Sequence, residues 1–149
     1  TRVWDNSGKL VAELKGNSAS FSPDGKLIVT ITKNSIARVW DISGKLVAEL
    51  KGNSASFSPD SKLIVTIARD NIARVWDIAG KQLAELKGHQ SYIISANFSL
   101  DGKQIITASG NNNVRVWYLS NNHLAQLRLP ETSSSPKVEY NQRTSGLPF

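Results

Sequence analysis

The chain has no cysteine and no methionine among its 149 residues, and only two histidines, His89 and His123. Without cysteine, disulfides and thiolate metal sites are excluded. No two histidines stand at metal-ligand spacing, so no metal is expected. No stretch approaches the roughly 18 apolar residues that would cross a bilayer as a helix, so no membrane partner is expected. No Gly-x-Ser-x-Gly elbow and no phosphate-cradling glycine loop occurs. No window carries a sustained helical period. Aspartates recur at 24, 60 and 101, but each sits in a Ser-x-Asp turn, where such a side chain serves its own backbone. The expectation is a protein that is no enzyme and holds no cofactor.

What is present is repetition. Arg2-Val3-Trp4-Asp5 recurs as Arg38-Val39-Trp40-Asp41 and Arg74-Val75-Trp76-Asp77, with a degraded copy at Arg115-Val116-Trp117-Tyr118. The tryptophans lie 36, 36 and 41 residues apart. A period near forty with a Trp-Asp ending marks stacked four-stranded units. Residues 2–37 and 38–73 differ at only six of 36 positions: 6/42, 25/61, 32/68, 33/69, 34/70 and 35/71. Four of the six fall in one segment, 32–35 against 68–71. Strands that stay fixed while a turn varies suit a frame that carries recognition in its loops.

Local chemistry predicts strands. Ser22-Pro23-Asp24-Gly25 is a turn, with φ preset by proline and a glycine that tolerates φ above zero. Ser18 to Phe21 before it and the β-branched Lys26 to Thr32 after it read as strands. Ile36 to Trp40 and Lys45 to Leu50 complete a set of four. The segments Leu27 to Ile31 and Ile36 to Trp40 are apolar on both faces, so each must lie between two layers. A single four-stranded unit has no second layer and must stack on its neighbours.

The third unit carries Gly88-His89, Phe98-Ser99-Leu100-Asp101-Gly102, Ile106-Thr107-Ala108-Ser109 and Val114-Arg115-Val116-Trp117 at fixed spacing. These motifs resemble the WD40 repeat family of β-propellers over about residues 1 to 128. The near-identity of the copies resembles the long tandem propellers attached to bacterial, often cyanobacterial, signalling proteins. The resemblance implies an all-β segment with a buried His–Ser/Thr–Asp–Trp tetrad in each blade. Matched by position, the third unit offers His89, Thr107, Asn111 and Trp117, with Asn111 where Asp is usual. The second offers Thr66, Asp70 and Trp76, and the first offers Thr30, Asn34 and Trp40, neither with a histidine.

The histidines are missing for one reason. Gly16-Asn17 and Gly52-Asn53 lack the five residues that the third unit has as His89 to Ile93. Five extended residues reach about 17 Å, and crossing three strand spacings takes about 14 Å. The shortened links therefore predict a short, strained or partly absent innermost strand in the first two units. They also predict that the tryptophan N–H of those units loses a hydrogen bond.

Counting strands gives repeats over about 1–37, 38–73 and 74–114, a partial one to 128 ending in an outer strand from His123 to Arg128, and about three and a half four-stranded antiparallel blades in all. Propellers close with about four to eight blades. The segment is therefore expected to be a piece of a larger propeller, with assembly of copies through the open blade ends as the alternative. Residues 129–149, polar and aperiodic, read as a flexible C-terminal tail.

The net charge of +6 comes largely from lysines at copied positions, 9, 15, 45, 51, 81 and 87, which repetition alone explains. Nucleic acid is not the expected partner, because basic residues and aromatics do not interleave. The arginines of the repeated phrase are expected along the stacked faces, extending to a rim. The resemblance places partner contacts just before the tetrad Asp position and at the start of the innermost strand: Lys33, Arg69 and Gly110, then Tyr92 with Ile94, and Asn17 and Asn53 in the shortened units. The expected function is a non-catalytic, cytoplasmic scaffold for protein–protein interaction within a larger signalling or regulatory protein. A polyanion-binding surface or a decayed repeat remnant are the rival readings.

Overall fold

The computed structural model describes residues 1–119 and 127–128. The expected tail at 129–149 and most of the expected last strand, including His123, lie outside them.

Strands form where the alternation and the turns demanded. A hairpin of β1 (Arg2–Trp4) and β2 (Leu10–Glu13) stands alone. Blade 1 follows as β3 (Ser18–Phe21), β4 (Leu27–Ile31), β5 (Ile36–Asp41) and β6 (Leu46–Lys51), antiparallel in chain order. Blade 2 repeats it with β7 (Ser54–Phe57), β8 (Leu63–Ile67), β9 (Ala73–Asp77) and β10 (Gln82–Leu86). Blade 3 has β11 (Ile93–Phe98), β12 (Gln104–Ser109), β13 (Val114–Leu119) and β14 (Leu127–Arg128). No helix occurs among the described residues. The result is an open all-β stack of three blades and half of another, an incomplete propeller.

The innermost strands of blades 1 and 2 are present but short. Each has four residues, against six in blade 3. The missing five residues therefore trim the inner strand without removing it.

The turns hold as their composition requires. The Ser22 hydroxyl donates to Asp24 at 2.7 Å, and the Lys26 amide donates to the same carboxylate at 3.0 Å. Ser58–Asp60 and Ser99–Asp101 repeat the arrangement. The Lys26 amide and the Ser22 hydroxyl hold the Asp24 carboxyl below its ordinary range. One difference between the repeats acquires a reason here. Ser61 stands where the other units have Gly25 and Gly102, with φ of 65°, and its hydroxyl accepts the Asp24 amide of the neighbouring blade at 3.1 Å.

Each blade has two unlike faces. The register pairs Ile28 with Trp40 and Thr30 with Arg38, which makes a tryptophan face. Val29 with Val39 and Ile31 with Ala37 make a valine face on the other side. The valine face of blade 1 (Val29, Ala37, Val39, Ala48, Leu50) packs on Ile64 and Trp76 of blade 2. The valine face of blade 2 (Val65, Ala73, Val75, Leu86) packs on Ile93, Ile105 and Trp117 of blade 3. Leu50, Ile64, Leu86 and Ile105 are fully buried in these seams, each contributing roughly 1.5–3 kcal/mol. Stacking, and not any one sheet, supplies the core.

Candidate interaction site

Under the end of the stack that carries the candidate residues lies one repeated buried relay. The Trp40 indole N–H donates to the Thr30 hydroxyl oxygen at 2.9 Å, Trp76 to Thr66 at 2.9 Å, and Trp117 to Thr107 at 2.9 Å. The three threonines are buried. In blade 3 the hydroxyl lies 2.7 Å from His89 Nε2. In blades 1 and 2 it donates instead to the main-chain carbonyls of Lys15 and Lys51, at 2.7 and 2.8 Å.

The expectation that the tryptophans of the shortened units lose a hydrogen bond is therefore corrected. With five residues gone, the link runs flat across the blade, and its carbonyl takes the imidazole's place. This needs glycine: a Cβ at Gly16 would come within 2.5 Å of Thr30 Cβ, and one at Gly52 within 2.6 Å of Thr66 Cβ.

The unsatisfied group lies in the one blade that keeps its histidine. His89 is buried, and its Nδ1 has no partner among the described residues. The Asn111 side-chain oxygen accepts the Ser109 hydroxyl instead. Burial, and then the nearby positive charge of Arg115, holds the imidazole pKa below its ordinary value. The unfolded chain binds the proton near pH 6.5, whereas the folded chain resists it. Stability is therefore expected to fall as pH drops below about 6.5 and to level off once the folded imidazole also protonates. Urea midpoints at pH 7.5 and 5.5 check this. His89→Gln should flatten the difference, and an unchanged difference would place its source elsewhere.

The repeated arginines turn out to have partners at copied positions. Arg2 pairs with Glu13, Arg38 with Glu49 and Arg74 with Glu85, each opposite the other across the outermost strand pair. The signal was available as a glutamate nine residues after each Trp-Asp tryptophan. Arg74 is buried and also grips Asp70 at 2.7 and 3.3 Å. That guanidinium, with Lys51 beside it, holds the Asp70 carboxyl far below the ordinary carboxylate range. Asp70 thus ties an arginine, with no histidine in its blade. With glutamates taking up their charge, Arg2, Arg38 and Arg74 do not form a free ring for an anion.

The register sets the candidate contacts at one end of the strands. The links before β3, β7 and β11 lie there with the turns after β4, β8 and β12. Lys33, Arg69, Asn17 and Asn53 are exposed. Tyr92 and Ile94 are 60% and 58% exposed. The Tyr92 ring lies over Gly110, where a Cβ would come within 2.3 Å of it. Asn53 lines a cleft of about 270 Å³ between β3 and β7, with Ser18, Ser20 and Ser54. Lys51 is tied to Asp70, the residue after Arg69, at 3.2 Å. Among the described residues no group of acidic, histidine or cysteine side chains could hold a metal, and no helix is long and apolar enough to cross a membrane.

The comparisons agree with this geometry. The family model described as "WD domain, G-beta repeat" matches three times, at residues 6–41, 44–77 and 80–118. The crystal structure of the computationally designed Ika4 protein is similar, with a TM-score of 0.67 and 26% sequence identity over 80% of this chain and 79% of that one. No curated protein matches significantly. Three matched repeats over most of the length, each giving an outer strand to one sheet and three strands with a Trp–Thr relay to the next blade, place the chain in the WD40, or G-beta repeat, family.

Proposed function

We propose that the chain is a non-catalytic scaffold that docks another protein on the end carrying Lys33, Arg69, Tyr92, Ile94, Asn17 and Asn53. WD40 repeats generally mediate protein–protein interaction and are typically not enzymes. The observation that carries the choice of face is the pairing of fixed frame with changing tip. The Trp–Thr hydrogen bond is the same in all three blades, while the exposed turns above it differ between the near-identical first two repeats. Tyr92, an exposed aromatic braced on Gly110, suits a contact residue. We place this scaffold in the cytoplasm, over residues 1–128 of a larger signalling or regulatory protein.

The test is a comparison of what the chain and a Lys33→Glu/Arg69→Glu/Tyr92→Ala variant bind from the source cell, both shown folded by a cooperative melt. The expected result is specific partners reduced at least about tenfold for the variant, about 1.4 kcal/mol. Equal binding would overturn the assignment of this face. A polyanion-binding role is favoured only by the lysines and arginine gathered there, and retention on heparin that moderate salt abolishes would support it. Retention of the Trp–Thr relay in every complete blade argues against a decayed remnant.

A further inference from the structure

The cleft between β3 and β7 lies in the seam of blades 1 and 2, and the next seam shows what such a space takes. Ser18 and Ser20 pair with Ile31 and Val29 and share their face of blade 1. With Asn53 and Ala55 of blade 2 they line about 270 Å³. The seam of blades 2 and 3 has the same wall, where Ser54 and Ser56 pair with Ile67 and Val65. There the longer link of blade 3 packs Ile93 with Val65 and Ile67, and Ile93 is 6% exposed. Ser56 also reaches Asn97 across that seam at 3.4 Å.

The shortened link of blade 2 has no such side chain. It passes from Gly52 to Asn53, and Asn53 is exposed. Ile31 is accordingly only half-buried, whereas its copy Ile67 is 5% exposed. The cleft is thus the place of one branched aliphatic side chain, which blade 3 supplies for itself and blade 2 does not. Its volume lies below the range of about 300–1,000 Å³ that drug-sized ligands fill. It suits a side chain and the main chain that carries it. The mouth of the cleft adds charge. The Asn53 amide donates to the Ile67 carbonyl at 2.8 Å and the Gly52 amide to the Ser35 carbonyl at 2.9 Å. These bonds hold the turns that bear Lys33 and Arg69 against the link. The one carboxylate on the two turns, Asp70, is taken by Arg74 and Lys51. Lys33 and Arg69 are exposed, with no carboxylate partner among the described residues.

We propose that this cleft is the anchor pocket of the loop-end surface and takes a branched aliphatic side chain, isoleucine, valine or leucine, from an acidic stretch of the partner protein. The aliphatic group covers Ile31 as Ile93 covers Ile67. Carboxylates beside it meet Lys33 and Arg69, which set orientation and discriminate against basic segments. Ser18, Ser20 and Asn53 offer hydrogen bonds to the main chain of the segment. This rests on the loop-end docking reading and adds the chemistry of the partner to it.

The test is selection of random linear peptides, displayed on phage, against chain 1–149, followed by titration of the selected peptides. The expected peptides carry isoleucine, valine or leucine beside aspartate or glutamate. Alanine at the aliphatic position should weaken them at least about tenfold. Ser20→Leu fills the cleft from blade 1 and leaves the loop-end residues as they are, and it should weaken them as much. Asn53→Ile, which copies Ile93, should do the same without lowering the urea midpoint. Lys33→Glu with Arg69→Glu should remove the preference for acidic residues. A cooperative melt shows each variant folded. Peptides that bind Ser20→Leu and Asn53→Ile as they bind the parent, yet are weakened by Lys33→Glu/Arg69→Glu/Tyr92→Ala, overturn the pocket and leave the loop-end reading standing. Peptides that neither set weakens overturn both. A selection that yields no peptide overturns the pocket for a linear segment. Self-association of the chain that Ser20→Leu abolishes would give the cleft to a second copy, and overturns it too.

Discussion

Thr66→Val is expected to lower the stability of the chain by about 2–3 kcal/mol with almost no change in side-chain volume. Thr66 is buried, accepts the Trp76 indole N–H at 2.9 Å and donates to the Lys51 carbonyl at 2.8 Å. Valine fills the same space, so no cavity term arises. The indole N–H is left unpaired in the seam between blades 1 and 2, at about 1–3 kcal/mol. The Lys51 carbonyl loses its donor too, but it is only partly enclosed, and water meets some of that need. Thr66→Ser keeps the hydroxyl and should lose under about 1 kcal/mol. Urea unfolding of the three proteins at pH 7.5 decides the matter. A valine variant within about 0.5 kcal/mol of the parent would mean that the relay contributes nothing measurable. The effect would be large, since domains of this size hold about 5–15 kcal/mol in all.

What was legible in the sequence was whatever a residue type marks for itself. Leu-Ile-Val-Thr-Ile marks a strand buried on both faces, and Val29 and Ile28 are buried on opposite sides of it. Ser-Pro-Asp-Gly marks a turn, and Ser22 and Asp24 form it. The period marks the stacking. What escaped were contacts whose partner carries no mark. Every residue has a carbonyl, so nothing in Lys15 or Lys51 announces that its main chain replaces an imidazole. The tetrad frame drew attention to absent histidines and so predicted a lost bond where one had been exchanged. The bond from Asp24 to Ser61 crosses between blades, and a comparison of repeats shows only that serine replaced glycine. The arginine–glutamate pairs could have been found, because their spacing of 11 residues recurs three times. The loop-end contacts stay a proposal for a physical reason: exposed side chains are constrained by a partner outside the chain.

The same exchange makes Gly52 a position where one methyl should be nearly as damaging as the loss of the hydroxyl. Gly52 is buried where the shortened link crosses the blade. A Cβ there would lie 2.6 Å from Thr66 Cβ and 3.2 Å from the Ile67 carbonyl oxygen. Neither can yield as the end of a flexible side chain would. Either the link rises, drawing the Lys51 carbonyl from the Thr66 hydroxyl, or β8 shifts and disturbs its seam with blade 1. Gly52→Ala is expected to lose about 2–3 kcal/mol, near the upper end of overpacking effects. Gly8→Ala meets nothing within 4 Å but sits at φ of 87°, so it should lose only about 1 kcal/mol of backbone strain. The two mutations around the relay should not add. Once Thr66→Val has removed the hydroxyl, lifting the carbonyl has less left to break. Gly52→Ala in that background should lose at least about 0.5 kcal/mol less than it does alone. Full additivity in the double variant would show that the glycine serves the close packing of link on strand and has no part in holding the carbonyl to the hydroxyl. Clear sub-additivity would show that the five-residue deletion is tolerated because glycine lets the main chain take over the missing histidine's bond.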